Sequence, residues 1–69
     1  MLGSMDPTDD ELEHLLETLR VQMTGTLADE FADANENIMR DEAAGEIDRR
    51  RRLESSVLCA LILLHRSRY

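Results

Sequence analysis

The hydrophobic positions of the chain fall into three groups, each with helical spacing. In the first group, Leu12, Leu16, Leu19 and Met23 recur at steps of three and four residues, with Leu15 beside them. This spacing is typical of one face of an amphipathic helix and also of a coiled-coil seam. It predicts a first helix whose opposite face carries charged residues.

A helix-start signal lies just before this group. Thr8 is followed three residues later by Glu11, which is the spacing of a capping box. In that motif the hydroxyl and the carboxylate each accept a hydrogen bond from the other residue's backbone N–H. Asp9, Asp10 and Glu11 also place negative charge at the positive end of the helix dipole. The first helix is therefore predicted to begin here.

The second hydrophobic group follows an interruption at Thr24-Gly25-Thr26. Glycine in a helix costs about 1 kcal/mol relative to alanine, and threonine favours caps over helix interiors. We expect a break or kink at this point, with Thr26 capping a second helix. The apolar positions of that helix are Leu27, Phe31, Ala34 and Ile38, flanked by Ala28, Ala32 and Met39.

The third group follows Gly45, where a separate helix and one long helix bent at the glycine are both compatible with the sequence. The chain is predicted to be helical from Glu46 to about Arg66. One stripe of this segment is apolar at Leu53, Val57, Leu61 and Leu64, while Leu58, Ala60, Ile62 and Leu63 fill its other sides. A helix that is apolar on all sides requires cover on all sides.

The predicted fold class is all-α, because no strand alternation, hairpin dipeptide or internal repeat is present. Two to three helices, as a hairpin or a bent long helix, are expected to assemble into an intermolecular bundle or a coiled-coil-like dimer. A chain of 69 residues with 3% aromatic residues buries only about 60% of its unfolded surface when it folds alone. A second copy or another partner would complete such a core.

Charge divides the chain into two unequal halves within a net charge of -7. Residues 1–46 carry 13 acids and two arginines, whereas residues 47–69 carry two acids and six arginines, and lysine is absent. Laying one half beside the other, within a chain or between copies, brings opposite charges together. We expect pairing of Arg49, Arg50, Arg51 and Arg52 with Asp29, Asp33 and Glu36, and i,i+4 pairs Glu36–Arg40, Glu46–Arg50 and Asp48–Arg52.

Several other classes of function find little support in the sequence. The run of four arginines could bind nucleic acid, but the whole chain is acidic, so nucleic acid is not expected as a partner. The apolar run 57–64 is far shorter than the roughly 20 residues of a membrane-spanning helix. Cys59, His14 and His65 are too few for a disulfide framework or a Cys/His metal site.

Catalysis is not predicted. Cys59 and His65 are six residues apart and would face different sides of a helix, and no glycine-rich phosphate loop is present. We therefore expect no enzyme activity, no cofactor and no metal.

The sequence favours a non-enzymatic protein-protein interaction module that self-associates as a homodimer or higher oligomer. An adaptor whose apolar C-terminal helix docks into a different helical protein is an alternative, and so is an acidic mimic of nucleic acid. The expected self-association interface consists of Leu12, Leu16, Leu19, Met23, Leu27, Phe31, Ile38, Leu53, Val57, Leu58, Leu61 and Leu64.

The two ends of the sequence bear on the boundaries of the expected module. Residues 1–4 resemble an expression-tag remnant before a second methionine, and residues 5–69 form the expected single module. The helical pattern is still unterminated at Tyr69, which favours the N-terminal part of a longer protein. An acidic start without a secretory signal favours a cytoplasmic or nuclear location.

Overall fold

The computed structural model describes residues 6–68, and this part of the chain forms three helices. They are α1 (Asp9–Arg20), α2 (Gly25–Ala43) and α3 (Arg49–Ser67). The all-α prediction is confirmed, and of the two possibilities at Gly45 the chain adopts separate helices. The interpretations of residues 1–4 and of Tyr69 lie outside the described residues.

Helix α1 begins at the predicted capping box. The Thr8 N–H donates to Glu11 Oε1 at 2.8 Å, and the Glu11 N–H donates to Thr8 Oγ1 at 3.1 Å. Helix α1 ends at Arg20, earlier than the apolar stripe indicated. Met23, the last residue of that stripe, lies in the turn that follows the helix. Met23 is nevertheless buried, whereas Leu15 on the predicted stripe is 40% exposed.

Glycine is required in the turn between α1 and α2. Gly25 has φ +59°, a left-handed value that side chains with a Cβ rarely adopt. The prediction that Thr26 caps α2 is wrong, because the helix begins at Gly25 and its N-cap is Thr24. The Thr24 side chain makes no capping hydrogen bond, so the left-handed Gly25 is the distinctive local feature at this boundary.

The boundary between α2 and α3 is a Schellman motif. Gly45 has φ +80° and donates to the Glu42 carbonyl at 3.0 Å, and the Glu46 N–H donates to the Asp41 carbonyl at 2.9 Å. The Asp48 side chain then caps α3 by accepting from the Arg51 N–H at 2.8 Å. Helix α3 therefore begins three residues later than predicted, at Arg49.

Helix α3 is the common partner of the other two helices. Both α1 and α2 pack along α3, and they make few contacts with each other. The start of α3 lies beside the start of α1 through Arg50 and Asp9, and beside the end of α2 through Arg52 and Glu42. Helices α1 and α3 are therefore parallel, and α2 runs antiparallel to both.

The core lies where α3 meets α1 and α2. Leu53 and Ala60 are completely buried, and Leu27, Ala28, Cys59 and Leu63 pack at the margin. Leu61 was predicted for the inward stripe of α3, but it is exposed, because Ser56 and Ala60 occupy the line that faces both neighbours. The buried hydrophobic residues are Leu12, Leu16, Leu19, Met23, Phe31, Leu53, Val57, Ala60 and Leu64.

Helix α2 contributes less to this core than its pattern predicted. Phe31 is its one buried residue, and Leu27, Ala34 and Ile38 are half-buried. Ala32 and Met39, which were expected on the same side, are exposed. Asp29, Asp33 and Glu36 are exposed on the outer side of α2, whereas Glu42 near its end contacts α3. The apolar contact of α2 with α3 is therefore narrow.

Candidate interaction surface on helix α3

The outward face of α3 carries a row of large apolar side chains. Leu58, Leu61 and Ile62 are 58%, 46% and 49% exposed. Their i, i+3, i+4 spacing places them on one side of the helix, opposite the inward residues Leu53 and Ala60. These three residues are called the outward stripe below, and within residues 6–68 no other helix covers them.

Shallow grooves run along both flanks of the outward stripe. One is lined by Ser55, Leu58, Cys59, Ile62, Leu63 and Arg66. The other lies between α1 and α3 and is lined by Leu19, Gln22, Leu61, Leu64, His65 and Arg68. A ridge with a groove on each side is the surface shape that helix-helix packing uses. The outward face is therefore shaped to receive a helix.

The charges near the outward stripe differ between its two ends. Glu54 lies one turn before Leu58 and forms an ion pair with Arg50 at 3.3 Å. Arg66 lies one turn after Ile62. Among residues 6–68, Arg51, Arg66 and Arg68 take part in none of the ion pairs that the structure contains.

The run of four arginines mostly attaches α3 to its neighbours. Arg49 pairs with Glu13 of α1. Arg50 donates to Asp9 at 3.3 Å and to the Pro7 carbonyl at 2.6 Å. Arg52 pairs with Glu42 of α2 at 3.1 Å. Successive residues point about 100° apart around a helix, so neighbouring arginines can reach different helices.

The acids that contact these arginines differ from the predicted ones. Asp29 and Asp33 lie on the exposed face of α2, which points away from α3, and Glu36 pairs with Arg40 at 3.6 Å as predicted. The predicted pairs Glu46–Arg50 and Asp48–Arg52 do not form within the chain, because residues 46–48 precede the helix. Pairing of Asp29, Asp33 and Glu36 with arginines of a second copy stays a prediction.

A polar contact inside the α2–α3 interface was not anticipated from the sequence. The fully buried Ser56 hydroxyl donates to Asn35 Oδ1 at 2.5 Å. Leaving a buried polar group without a partner costs about 1–3 kcal/mol, so a shifted register between the helices is disfavoured. The available signal was a serine at the inward spacing from Leu53 and an asparagine between the apolar positions Ala34 and Ile38.

Most of the predicted self-association residues are buried within a single copy. Leu27 and Ile38 are half-buried, and only Leu58 and Leu61 of the predicted set are exposed. Ile62 joins them on the outward face, although it was not among the predicted interface residues. The residues that the chain itself covers are Leu12, Leu16, Leu19, Met23, Phe31, Leu53, Val57 and Leu64.

The described residues offer little reactive chemistry. Burial raises the pKa of the half-buried Cys59 thiol, which lowers its thiolate fraction at neutral pH. Within residues 6–68 no cluster of three or more His, Cys, Asp or Glu side chains could hold a metal ion. None of the three helices in this range has the length and apolar content to cross a bilayer.

Comparison with known proteins does not assign the chain to a family. No family model matches it, and neither a curated protein nor a solved structure does so.

Proposed function

We propose that this chain is a non-enzymatic protein-interaction module that self-associates as a homodimer through the outward face of α3. The observation that carries the proposal is the outward stripe itself, with Leu58, Leu61 and Ile62 about half exposed on one face. Single exposed apolar residues are ordinary, but a contiguous row at helical spacing is the pattern by which helices dock.

The modest core of the single chain supports this proposal. Its buried hydrophobic residues include one aromatic side chain, Phe31, and two of the nine are small or β-branched, Ala60 and Val57. Covering a half-exposed leucine or isoleucine contributes about 1 kcal/mol per side chain. A second copy that covers the outward stripe would therefore add appreciably to the stability of a small domain.

One observation favours a second candidate, an adaptor that binds a different protein. Arg51, Arg66 and Arg68 lie along the outward side of α3, and none of them is in an ion pair among the described residues. Such arginines would suit an amphipathic helix with acidic flanks. In that case the outward stripe would be the binding site for the foreign helix.

The cellular location that fits this proposal is the cytoplasm or nucleus. Cys59 is the single cysteine of the sequence and is a free thiol in the structure. Free thiols persist in reducing compartments.

Sedimentation equilibrium of the purified chain across the micromolar range tests the proposal directly. We expect a mass that rises from monomer to dimer, and a melting temperature that rises with protein concentration because association stabilises the folded state. A monomer mass at every concentration, together with a melting temperature that does not depend on concentration, would contradict self-association.

The adaptor candidate needs a separate measurement. A synthetic amphipathic helix with leucines at i, i+3, i+4 spacing and glutamates on its flanks can be titrated into the chain. Saturable binding that abolishes the dimer would show that the same surface prefers an acidic partner, whereas no binding would favour the second copy.

A further inference from the structure

We infer that the two copies pack their α3 helices antiparallel, with the outward stripes in contact and Glu54 of each copy beside Arg66 of the other. This inference rests on the proposed self-association and adds its orientation and register. The outward face of α3 receives a second copy of this chain, because the order of charges along α3 suits an identical helix in the opposite direction.

Charge and apolar positions on the outward face are symmetric about Ala60. Glu54 precedes Leu58 by four residues, and Arg66 follows Ile62 by four residues. A twofold rotation at this point aligns Leu58 with Ile62 of the second copy and Glu54 with Arg66 of the second copy. The pattern is thus self-complementary, as an interface between identical copies requires.

The side chains also lie on suitable flanks of the helix. At about 100° per residue, Glu54 lies about 40° from Leu58, and Arg66 lies about 40° from Ile62. Glu54 and Arg66 are both exposed, and Glu54 forms an ion pair with Arg50 at 3.3 Å within its own chain. The Glu54 carboxylate has two oxygens and can accept from a second arginine as well.

A parallel arrangement would place like charges together. Glu54 would face Glu54 of the second copy, and Arg66 would face its own counterpart. Like charges directly opposite each other suppress a wrong arrangement. In the antiparallel arrangement, Arg51 and Arg68 lie at the outer ends of the contact, where physiological salt screens charges over about 8 Å.

The expected contact is small. One pair of helices joined along four turns falls near or below the roughly 1,200 Å² that marks the lower limit of standard interfaces. Reversible association in the micromolar range is therefore expected, with fast exchange between monomer and dimer.

Paired charge reversal distinguishes the two orientations. In the antiparallel dimer, Glu54→Arg and Arg66→Glu each create two like-charge contacts, whereas the double variant restores two opposite-charge pairs. We expect each single variant to raise the dimer Kd about tenfold, which is an ordinary size for coupled charges, and the double variant to recover most of the loss. In a parallel dimer each single reversal exchanges one like-charge pair for another, so the double variant would show no rescue.

Glu36→Arg is the matched control. Glu54 and Glu36 are both exposed, and each forms an i,i+4 pair with an arginine, at 3.3 Å and 3.6 Å. Glu36 lies on the outer face of α2, so its reversal should change helix content by a similar amount and leave the dimer Kd unchanged. An equal loss of association in Glu36→Arg would overturn the assigned contact.

Disulfide trapping reports the orientation through the proximity of two positions rather than through a change in the dimer Kd. In a Cys59→Ser background, a chain carrying both Glu54→Cys and Arg66→Cys should form a covalent dimer on mild oxidation. A chain carrying Glu54→Cys alone should remain largely uncrosslinked, and efficient cross-linking of that single variant would show a parallel dimer.

The outcomes separate the orientation from the function. A wild-type chain that dimerises without charge rescue overturns the antiparallel arrangement and leaves self-association standing. A wild-type chain that stays monomeric overturns both. Rescue by the double variant together with trapping of the 54–66 pair supports both.

Discussion

Helix α3 has two apolar faces, and within residues 6–68 the other helices cover only one of them. On the inward face, Leu53 and Ala60 are completely buried between α1 and α2. On the outward face, Leu58 and Ile62 keep about half of their surface exposed. Both faces are apolar, so side-chain type does not explain the difference in exposure. Burial depends on which side of α3 the helices α1 and α2 pack against.

The arginines of α3 show the same division between inside and outside. Arg52 has 17% of its side chain exposed and pairs with Glu42 of α2. Arg66 is exposed and has no ion pair among the described residues. Inward arginines fix α3 to its neighbours, whereas outward ones are available to a partner.

The largest contrast is expected between Leu53 and Leu58. Leu53→Ala should lower the free energy of unfolding by about 2–5 kcal/mol, because it leaves a cavity at a completely buried position. Leu58→Ala should change it by about 0.5 kcal/mol or less under monomeric conditions. Urea denaturation at low protein concentration measures both values, and similar losses would show that the two faces are equally covered.

A second contrast separates association from folding. Leu61→Asp should raise the dimer Kd tenfold or more, since a carboxylate in an apolar contact carries a large desolvation cost. Met39→Asp is the control, because Met39 is 43% exposed and Leu61 46%, but Met39 lies on α2. Sedimentation velocity should show dissociation only for Leu61→Asp, with helix content retained in both chains.

The buried polar contact offers a third contrast between neighbouring serines. Ser56→Ala should destabilise the fold by about 0.5–1.5 kcal/mol, because the half-buried Asn35 loses this hydrogen bond. Ser55 is half-buried and makes no side-chain hydrogen bond with any residue from 6 to 68, so Ser55→Ala should have little effect. Thermal unfolding of the two variants tests this difference, and equal effects would argue against a role for the Ser56–Asn35 bond.

The smallest contrast concerns two ion pairs. Arg52 and Glu42 have 17% and 29% of their side chains exposed, whereas Arg40 and Glu36 have 70% and 73% exposed. We expect a double-mutant cycle to give a coupling of about 1 kcal/mol for the first pair and about 0.3–0.5 kcal/mol for the second. Added salt should weaken the exposed pair more, and the reverse order would contradict the assigned burial.

The helices themselves could be predicted where local chemistry is decisive. The capping box at Thr8, the interruptions at Gly25 and Gly45, and the pair Glu36–Arg40 are all interactions between residues close in sequence. Local interactions of this kind leave a clear pattern. The cap at Asp48 was missed because Glu46 and Asp48 also fit helical ion-pair spacing, and that spacing does not distinguish a cap from a first turn.

The inward face of α3 could not be read from the sequence. Apolar residues surround α3, so periodicity does not show whether Ala60 or Leu61 faces inward. The larger Leu61 would be expected in the core, but Ala60 is the buried residue. Which line is buried depends on how α1 and α2 approach, which is a property of the whole fold. Of the predicted interface residues, Leu58 and Leu61 are exposed in the structure, and the exposure of Ile62 was not anticipated. Their role in self-association stays a prediction.

The order in which the helices assemble follows from how far apart in sequence their contacts with α3 lie. Contacts of α3 with α2 join residues 10 and 21 positions apart, whereas Arg50 reaches Asp9 and Pro7 across 41 and 43 positions. Closing a longer loop costs more chain entropy, so the α2–α3 hairpin should form before α1 docks. Helix α1 has 12 residues, a length that is marginal in isolation. Its amides should therefore exchange with solvent before those of α2 and α3, and the hairpin would outlast it as the last structured part of the unfolding chain.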